Sequence, residues 1–148
     1  MSEQENKPNL IELYRQYNNF GPELGMDFSI IQPGEIEYYL TIEKKHLSTP
    51  RAAHGGVIAA FMDALLGVAG LSAVHEEGKV VSTVEFKINF LSPALLGDKL
   101  FGRAKVDQRG KRILVISGDI VVQNRNNILI AKAIGTFNAY PSEKAGIF

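Results

Sequence analysis

The spacing of hydrophobic and polar residues changes several times along the chain, and each pattern predicts a type of element. Apolar residues recur at helical intervals over 9–19, which predicts an N-terminal helix that Gly21-Pro22 ends. Six later stretches alternate and predict strands, at 28–31, 36–42, 80–91, 100–108, 112–123 and 128–140. Within 80–91 the alternation places on one face Val84, Phe86, Ile88 and Phe90. Turns at 109–111 and 125–127 indicate hairpins.

A long apolar segment separates the first two strands from the last four. We expect a helix here that Gly55-Gly56 opens and that ends near Gly78. The part from Val57 to Val74 approaches the ~20 residues of a bilayer span, but the charge of Asp63 would cost ~3 kcal/mol there. No basic flank supports insertion, so a helix buried in a protein core is the better interpretation.

These elements predict an α+β fold in which a curved antiparallel sheet wraps around the central helix. A helix that is apolar on every side needs cover all round. The sheet supplies that cover on one side and around the flanks. The remaining face needs another protein surface, which points to a dimer.

Composition narrows the class of protein. The chain has 148 residues, of which 45% are hydrophobic and 22% charged, so we expect one folded domain over 1–148 with residues 1–8 disordered. Sixteen basic and sixteen acidic residues balance, which argues against nucleic acid or an acidic membrane as the main partner. Cysteine is absent, which excludes disulfides, cysteine-ligated metals and a cysteine nucleophile. The N-terminus lacks the pattern of a secretory signal, so we expect a cytoplasmic protein.

The start of the central helix is the first candidate for chemistry. His54-Gly55-Gly56 lies where a loop becomes a helix, and the first N–H groups of a helix lack internal acceptors. Glycine has no Cβ, so a ligand oxygen can approach closely and an oxyanion can be stabilised there. The glycines equally suit a tight turn into the helix, which is the commoner use of such a pair.

The carboxylate inside the central helix is the second candidate. Asp63 is the only charged residue between His54 and His75, and an unpaired carboxylate in apolar surroundings costs several kcal/mol or becomes protonated. We favour a catalytic role over a cap or a pairing with an arginine, because perturbed carboxylates gather in active sites. Ser82 and Thr83 follow at the next strand, where a hydroxyl can orient water, although threonine also suits any strand.

The distance between the two candidates constrains how they can act together. Gly55 and Asp63 are eight residues apart, which is ~12 Å along a helix, so one carbonyl cannot contact both within one chain. If two such helices pack antiparallel across a two-fold axis, Gly55 of one chain meets Asp63 of the other. That arrangement creates two identical sites per dimer.

The chain resembles the hotdog-fold acyl-CoA thioesterases over residues 24–140, and most closely their phenylacetyl-CoA-pathway and thioesterase-superfamily-member type. The resemblance rests on two runs, HLSTPRAAHGGVIAAFMDALLG and VVSTVEFKINFLSPALLGDKL. Their most specific features are the HGG-x6-D spacing and the later F-L-S-P-A. The resemblance implies a hotdog fold and hydrolysis of acyl-CoA to free acid and coenzyme A by a homodimer, which we expect to form a tetramer. It implies no cofactor besides the coenzyme A of the substrate, because a thioester is already activated.

The resemblance also implies roles for individual residues. The N–H of Gly55 polarises the thioester carbonyl, Asp63 of the facing subunit is general base or nucleophile, and Thr83 holds the water. The family often has an asparagine where this chain has Ser48, which suggests a different substrate. His54 is expected to support the loop without proton transfer. Further residues expected to bind substrate are Gly56 and, along a pantetheine-side wall, Asn89, Phe90, Ser92 and Pro93.

Other features leave alternatives open. Arg109, Lys111 and Arg112 form a basic cluster at a hairpin, which can meet the phosphates of coenzyme A or be a solvated turn. His46 and His75 lack the spacing of metal ligands, so no metal is expected. The acyl group stays unidentified, since an aryl or an aliphatic pocket can be formed by Tyr14, Tyr17, Phe20 and Phe61. Two rival functions are an enoyl-CoA hydratase or dehydratase, whose usual Asp–His spacing this chain does not match, and a non-catalytic acyl-CoA-binding module.

Overall fold

A computed structural model describes residues 9–147 of the chain. Its helices are α1 (Leu10–Tyr17), α2 (Phe20–Leu24) and α3 (Gly55–Val74). Its strands are β1 (Asp27–Gln32), β2 (Glu35–Thr41), β3 (Lys79–Phe90), β4 (Lys99–Arg109), β5 (Ile113–Val122) and β6 (Ile128–Pro141). Short 3₁₀ turns lie at Lys44–His46, His75–Glu77 and Ser142–Ala145. The expectation of disorder at 1–8 falls outside the described residues.

The six strands form one antiparallel sheet with the order β1-β2-β4-β5-β6-β3. The sheet packs against α3, which contacts all six strands, so the predicted fold class, a hotdog fold with a long central helix, is confirmed. β1 and β3 are the edge strands. Gly21-Pro22 was expected to end the N-terminal helix. Instead α1 ends at Tyr17, and Gly21-Pro22 lies inside the short helix α2.

The core lies between α3 and the sheet. Phe61, Met62, Leu65 and Leu66 of α3 are completely buried. The helical stretch Gly55–Glu77 is long and apolar enough to cross a membrane, yet 61% of its most apolar window is buried within the fold. The interpretation of this segment as a core helix is therefore confirmed.

One face of α3 is not covered by the sheet, and we call it the open face. Its residues are exposed or half-buried, and all but one are small: Gly55, Gly56, Ala59, Ala60 and Asp63. Small side chains let another backbone approach closely, and Asp63 is the only charge on this face. The open face thus carries both candidates that the sequence singled out.

A β-bulge in β3 overturns part of the predicted alternation. The pairing of β3 with β6 shifts by one residue between Thr83 and Glu85, so Val84 is an extra residue. Val84 is 58% exposed, so the face predicted for it with Phe86 is wrong. Phe90 does share the face of Phe86 and Ile88, because no register shift separates these residues, although its ring at the end of the strand is 55% exposed. Because of the bulge, Thr83 and Phe86 both lie on the side of α3 although they are an odd number of positions apart.

Candidate active site

The start of α3 carries a backbone N–H without an internal partner. His54 is the N-cap of the helix, and its Nδ1 atom accepts a hydrogen bond of 2.7 Å from the N–H of Gly56. The N–H of Gly55 donates to no acceptor among residues 9–147. Since Gly55 is also exposed, an oxygen atom of a ligand can reach this donor at the positive end of the helix dipole.

Gly55 and Gly56 lack a side chain for different structural reasons. A Cβ atom at Gly56 would lie 2.9 Å from His54 Nδ1, so a side chain there would collide with the capping ring. A Cβ atom at Gly55 would meet only the Phe90 ring, at 3.9 Å. Gly56 therefore preserves the cap, whereas Gly55 leaves open space beside its N–H, with an exposed aromatic ring next to it.

The loop before α3 is fixed by backbone hydrogen bonds and a buried histidine. The N–H of His54 donates to the carbonyl of His46 at 2.8 Å, and the N–H of Ala53 donates to the carbonyl of Ala94 at 2.8 Å. The ring of His46 accepts from the N–H of Glu43 at Nδ1, 2.8 Å, so Nε2 carries the proton and donates to the Leu24 carbonyl at 2.7 Å. His46 thus has a structural role. Among residues 9–147 no group of three or more histidine and carboxylate side chains is placed to hold a metal ion.

Asp63 and Thr83 form the second half of the candidate site. The hydroxyl of Thr83 donates a hydrogen bond of 2.6 Å to Asp63 Oδ1. Such short bonds to a carboxylate are among the stronger hydrogen bonds in proteins and fix the orientation of the acid. Oδ2 of Asp63 accepts no hydrogen bond within the described residues, so it is available to a water molecule or a substrate.

One chain does not bring the two halves together. Gly55 and Asp63 both lie on the straight stretch of α3, and eight residues along a helix span ~12 Å. Within the described chain, the free N–H of Gly55 and the Asp63–Thr83 pair therefore cannot act on the same carbonyl carbon.

An apolar cleft of about 310 Å³ opens beside Asp63 and Thr83. It is bounded by α1, α3, the first half of β3, the end of β6 and the C-terminal segment. Its lining residues are Leu10, Tyr14, Tyr17, Asp63, Ala64, Gly67, Val68, Leu71, Val80, Val81, Ser82, Thr83, Phe137, Tyr140, Ala145 and Ile147. The sequence indicated Tyr14 and Tyr17. The expectation for Phe20 and Phe61 is wrong, because Phe20 is 63% exposed outside the cleft and Phe61 is buried in the core.

Two tyrosines beside the cleft stay protonated to high pH. Burial raises the pKa of Tyr14, a hydrogen bond with Tyr38 opposes that rise, and the charge of Asp63 adds to it. Burial also raises the pKa of Tyr38, and the neighbouring Tyr14 raises it further. The two phenols therefore form a neutral pair, and Tyr14 lies within range of the field of Asp63.

Apart from the basic hairpin, the predicted substrate-binding residues outside α3 lie near its start, in the loop before it and at the end of β3. Ser48 is exposed in the loop before α3, where its N–H bonds the Ala52 carbonyl. Asn89 and Phe90 end β3, and Ser92 and Pro93 follow them. The carbonyl of Pro93 accepts from Arg125, which also binds both oxygens of the buried Asp98 at 2.8 and 2.7 Å. This ion pair fixes the segment 93–98, and Ala94 of that segment in turn holds Ala53.

The basic hairpin lies at the opposite end of α3. Arg109 binds the carboxylate of Glu77 and donates to the Ala73 carbonyl at 3.2 Å, and the Lys111 carbonyl accepts from Lys79. Ala73 is 18 residues beyond Gly55, or ~27 Å along a helix. The structure therefore does not bring Arg109, Lys111 and Arg112 to Gly55 of the same chain.

Comparison with known proteins shows what this arrangement is similar to. A family model described as the thioesterase superfamily matches residues 52–128, which include the start of α3, Asp63 and Thr83. A relative from Archaeoglobus fulgidus is 29% identical over 106 residues, or 72% of this chain and 65% of its own length. Human acyl-coenzyme A thioesterase 13 is 30% identical over 88 residues, or 60% of this chain and 61% of its own length. The chain thus spans slightly less than two thirds of these two relatives.

Solved structures agree over more of the chain. A thioesterase from Haemophilus influenzae is similar with a TM-score of 0.77 and 26% identity, covering 95% of this chain and 92% of that one. A Streptococcus mutans protein solved with acetyl CoA bound has a TM-score of 0.71 and 24% identity, covering 79% of this chain and 90% of that one. At 24% identity, the similarity to the Streptococcus mutans protein shows a shared fold.

Proposed function

The chain belongs to the thioesterase superfamily, and we propose that it hydrolyses acyl-CoA thioesters to free acid and coenzyme A at a site shared by two chains. The predicted family is confirmed, and the similarity to human acyl-coenzyme A thioesterase 13 supports thioester hydrolysis as the proposed activity. Coenzyme A as part of the substrate is supported by the acetyl CoA bound to the similar Streptococcus mutans fold.

The observation that carries this proposal is the Asp63–Thr83 pair at the mouth of an apolar cleft. A carboxylate held at 2.6 Å by one hydroxyl keeps its second oxygen free to take a proton from water or to attack a carbonyl. The adjoining cleft is apolar, as an acyl chain or ring requires. A general base next to an apolar cleft suits hydrolysis of a substrate whose acyl part is hydrophobic.

The reaction then proceeds with a simple proton balance. Water attacks the thioester carbon while Asp63 takes one proton of the water, and the N–H of Gly55 stabilises the oxyanion that forms. When the tetrahedral intermediate collapses, the C–S bond breaks and the thiolate of coenzyme A receives the proton. In the direct variant, Asp63 attacks the carbonyl, the C–S bond breaks and the thiolate of coenzyme A leaves a mixed anhydride. Water then cleaves the anhydride to the free acid and the Asp63 carboxylate, and its remaining proton goes to the thiolate. Thr83 orients the carboxylate in both.

Sharing of the site between chains follows from the open face of α3. Two antiparallel α3 helices facing each other place Gly55 of one protomer opposite Asp63 of its partner, which overcomes the ~12 Å separation. The small residues of the open face permit the close approach. β3 is an edge strand of 12 residues with hydrogen-bonding groups for a partner strand. A tetramer, a cytoplasmic location and the absence of a cofactor stay predictions.

Mixed dimers test both the reaction and the sharing. We expect Asp63→Asn to lower turnover at least ~100-fold, because it removes the base but keeps the shape. Gly55→Pro deletes the oxyanion N–H, and Gly55→Val blocks its approach if the proline variant fails to fold. Random mixing of Asp63→Asn with a Gly55 variant should restore about a quarter of wild-type activity, since half the dimers hold one intact site of two. Activity at the parental level after verified subunit exchange would refute the shared site.

The same assay separates the rival functions. Thiol release from a panel of acyl-CoAs supports hydrolysis. Hydration of an enoyl-CoA without thiol release would indicate a hydratase instead, and tight binding with no reaction would indicate a binding module.

A further inference from the structure

The helix α1 packs against the core through Ile11 and Tyr14 and also presents an apolar side to the cleft. Leu10, Tyr14 and Tyr17 follow one another at helical intervals of four and three, and all three line the cleft. Of the residues of α1, Leu10 alone is buried, and Tyr17 is 60% exposed. The apolar side of α1 therefore forms one wall of the cleft.

The cleft has a direction and a length. Its α3 wall runs from Asp63 to Leu71, and eight residues correspond to ~12 Å. The β3 wall runs alongside, since Thr83 bonds Asp63 and Val81 lies against Gly70. An acyl group whose carbonyl carbon sits at Asp63 extends along this channel under α1.

α1 is fixed in place. Asn9 caps its start by accepting from the N–H groups of Ile11 and Glu12. Arg15 donates to Asp27 Oδ1 and to the Phe28 carbonyl, both at 3.0 Å. The Arg15 guanidinium also stacks 3.7 Å from the centre of the Phe28 ring. These contacts tie α1 to β1, so the wall has a defined position.

We propose that α1 limits the size of the acyl group, and this rests on the proposed function. The acyl part is then apolar and compact, no longer than ~12 Å: a single aromatic ring or a medium-length chain. The volume of about 310 Å³ lies at the small end of ligand sites. Tyr17 is the specificity-determining residue of this wall, because its ring lines the cleft and is largely exposed, whereas Tyr14 also packs against the Phe28 ring.

Two variants change the cleft in opposite directions. Tyr17→Ala removes a ring from the wall and enlarges the space available. Gly67→Ala narrows the cleft with little strain, because a Cβ atom at Gly67 meets nothing closer than the Phe137 ring at 3.6 Å. Phe20→Ala is the matched control, since Phe20 is a similarly exposed aromatic residue that does not line the cleft.

The test is kcat/KM for a series from acetyl-CoA to palmitoyl-CoA together with phenylacetyl-CoA. We expect the wild type to prefer the ring or medium chains over palmitoyl. Tyr17→Ala should raise the palmitoyl-to-hexanoyl ratio at least ~10-fold, the scale of one or two methylenes in a pocket, and Gly67→Ala should lower it. Phe20→Ala should leave it unchanged.

Failure of this proposal and failure of the proposed function are distinguishable. Unchanged ratios in Tyr17→Ala and Gly67→Ala, or a wild type that prefers palmitoyl, would overturn the role of α1 while thioester hydrolysis stands. If no acyl-CoA releases thiol, calorimetric binding of non-hydrolysable acyl-CoA thioethers of the same lengths replaces kcat/KM. An unchanged ratio of Kd values among the variants would then refute the wall independently of the reaction.

Discussion

Replacing Gly55 and Gly56 separately distinguishes their roles: Gly56 leaves room for the His54 cap, and Gly55 leaves its N–H accessible. In each of Gly55→Ala and Gly56→Ala, the alanine itself should add ~0.5–1 kcal/mol to the free energy of unfolding, because alanine restricts the unfolded chain and favours the helix. Only Gly56→Ala places a Cβ atom 2.9 Å from His54 Nδ1, which pushes the ring away from its 2.7 Å hydrogen bond. Losing such a cap typically costs ~1 kcal/mol and up to ~2 kcal/mol, so Gly56→Ala should be less stable than Gly55→Ala by ~1–2 kcal/mol.

Thermal unfolding followed by circular dichroism measures this difference. At equal protomer concentration, ~1–2 kcal/mol corresponds to a Tm about 3–7 °C lower in Gly56→Ala than in Gly55→Ala. Removing the ring provides the control: in a His54→Ala background the two alanine variants should have the same Tm. Equal Tm values in the wild-type background, or a difference that persists without His54, would refute the assignment of His54 as the cap.

Three further predictions follow from the contacts. Thr83→Val should lower kcat/KM about 10- to 100-fold by removing a charge-assisted hydrogen bond worth ~1.5–3 kcal/mol, with Thr83→Ser retaining activity in the thiol-release assay. Asp98→Asn should lower the free energy of unfolding, measured by urea titration, by ~3 kcal/mol because it leaves Arg125 without its buried partner. Adding Arg125→Gln to this variant should lower it much less further, and additive losses would argue against coupling between the two residues. Since the raised pKa of Tyr38 makes stability fall above pH 10, Tyr38→Phe should show a smaller drop in Tm there.

The sequence predicted those parts of the molecule that depend on local pattern. Asp63 stood out because a charge inside an apolar helix is costly wherever the helix packs. The helix start at Gly55 was recognisable because glycines after a polar loop begin a helix in a characteristic way. Both features are properties of a few consecutive residues, and the structure places them on one face of α3.

The features that the sequence did not predict arise from contacts between distant segments. The cleft needs α1, β3 and the C-terminal segment side by side, and nothing near Tyr140 or Ile147 indicates that they meet there. His46 had no visible purpose, yet its ring joins the carbonyl of Leu24 to the N–H of Glu43. The sequence left open whether the basic hairpin binds phosphates or is a solvated turn, and it did not indicate that Arg109 binds Glu77 at the end of α3. Local charge does not reveal which partner tertiary structure brings near.

The alternation in β3 misled for a different reason. Assigning residues of a strand to alternate faces assumes that no extra residue interrupts the pairing. Val84 is such an extra residue. A valine also has high strand propensity, so composition gave no sign of the bulge.

The bulge makes β3 unusually tolerant of one kind of evolutionary change. Losing Val84 would join Thr83 directly to Glu85, leaving the existing pairing with β6 on both sides intact. Loss of a residue on either side would instead shift one half of the strand and send Thr83 or Phe86 to the opposite surface. Val84 therefore behaves like a spacer between two parts of the strand, one adjoining Asp63 and the other the core. Related chains should differ in length there more readily than elsewhere in β3.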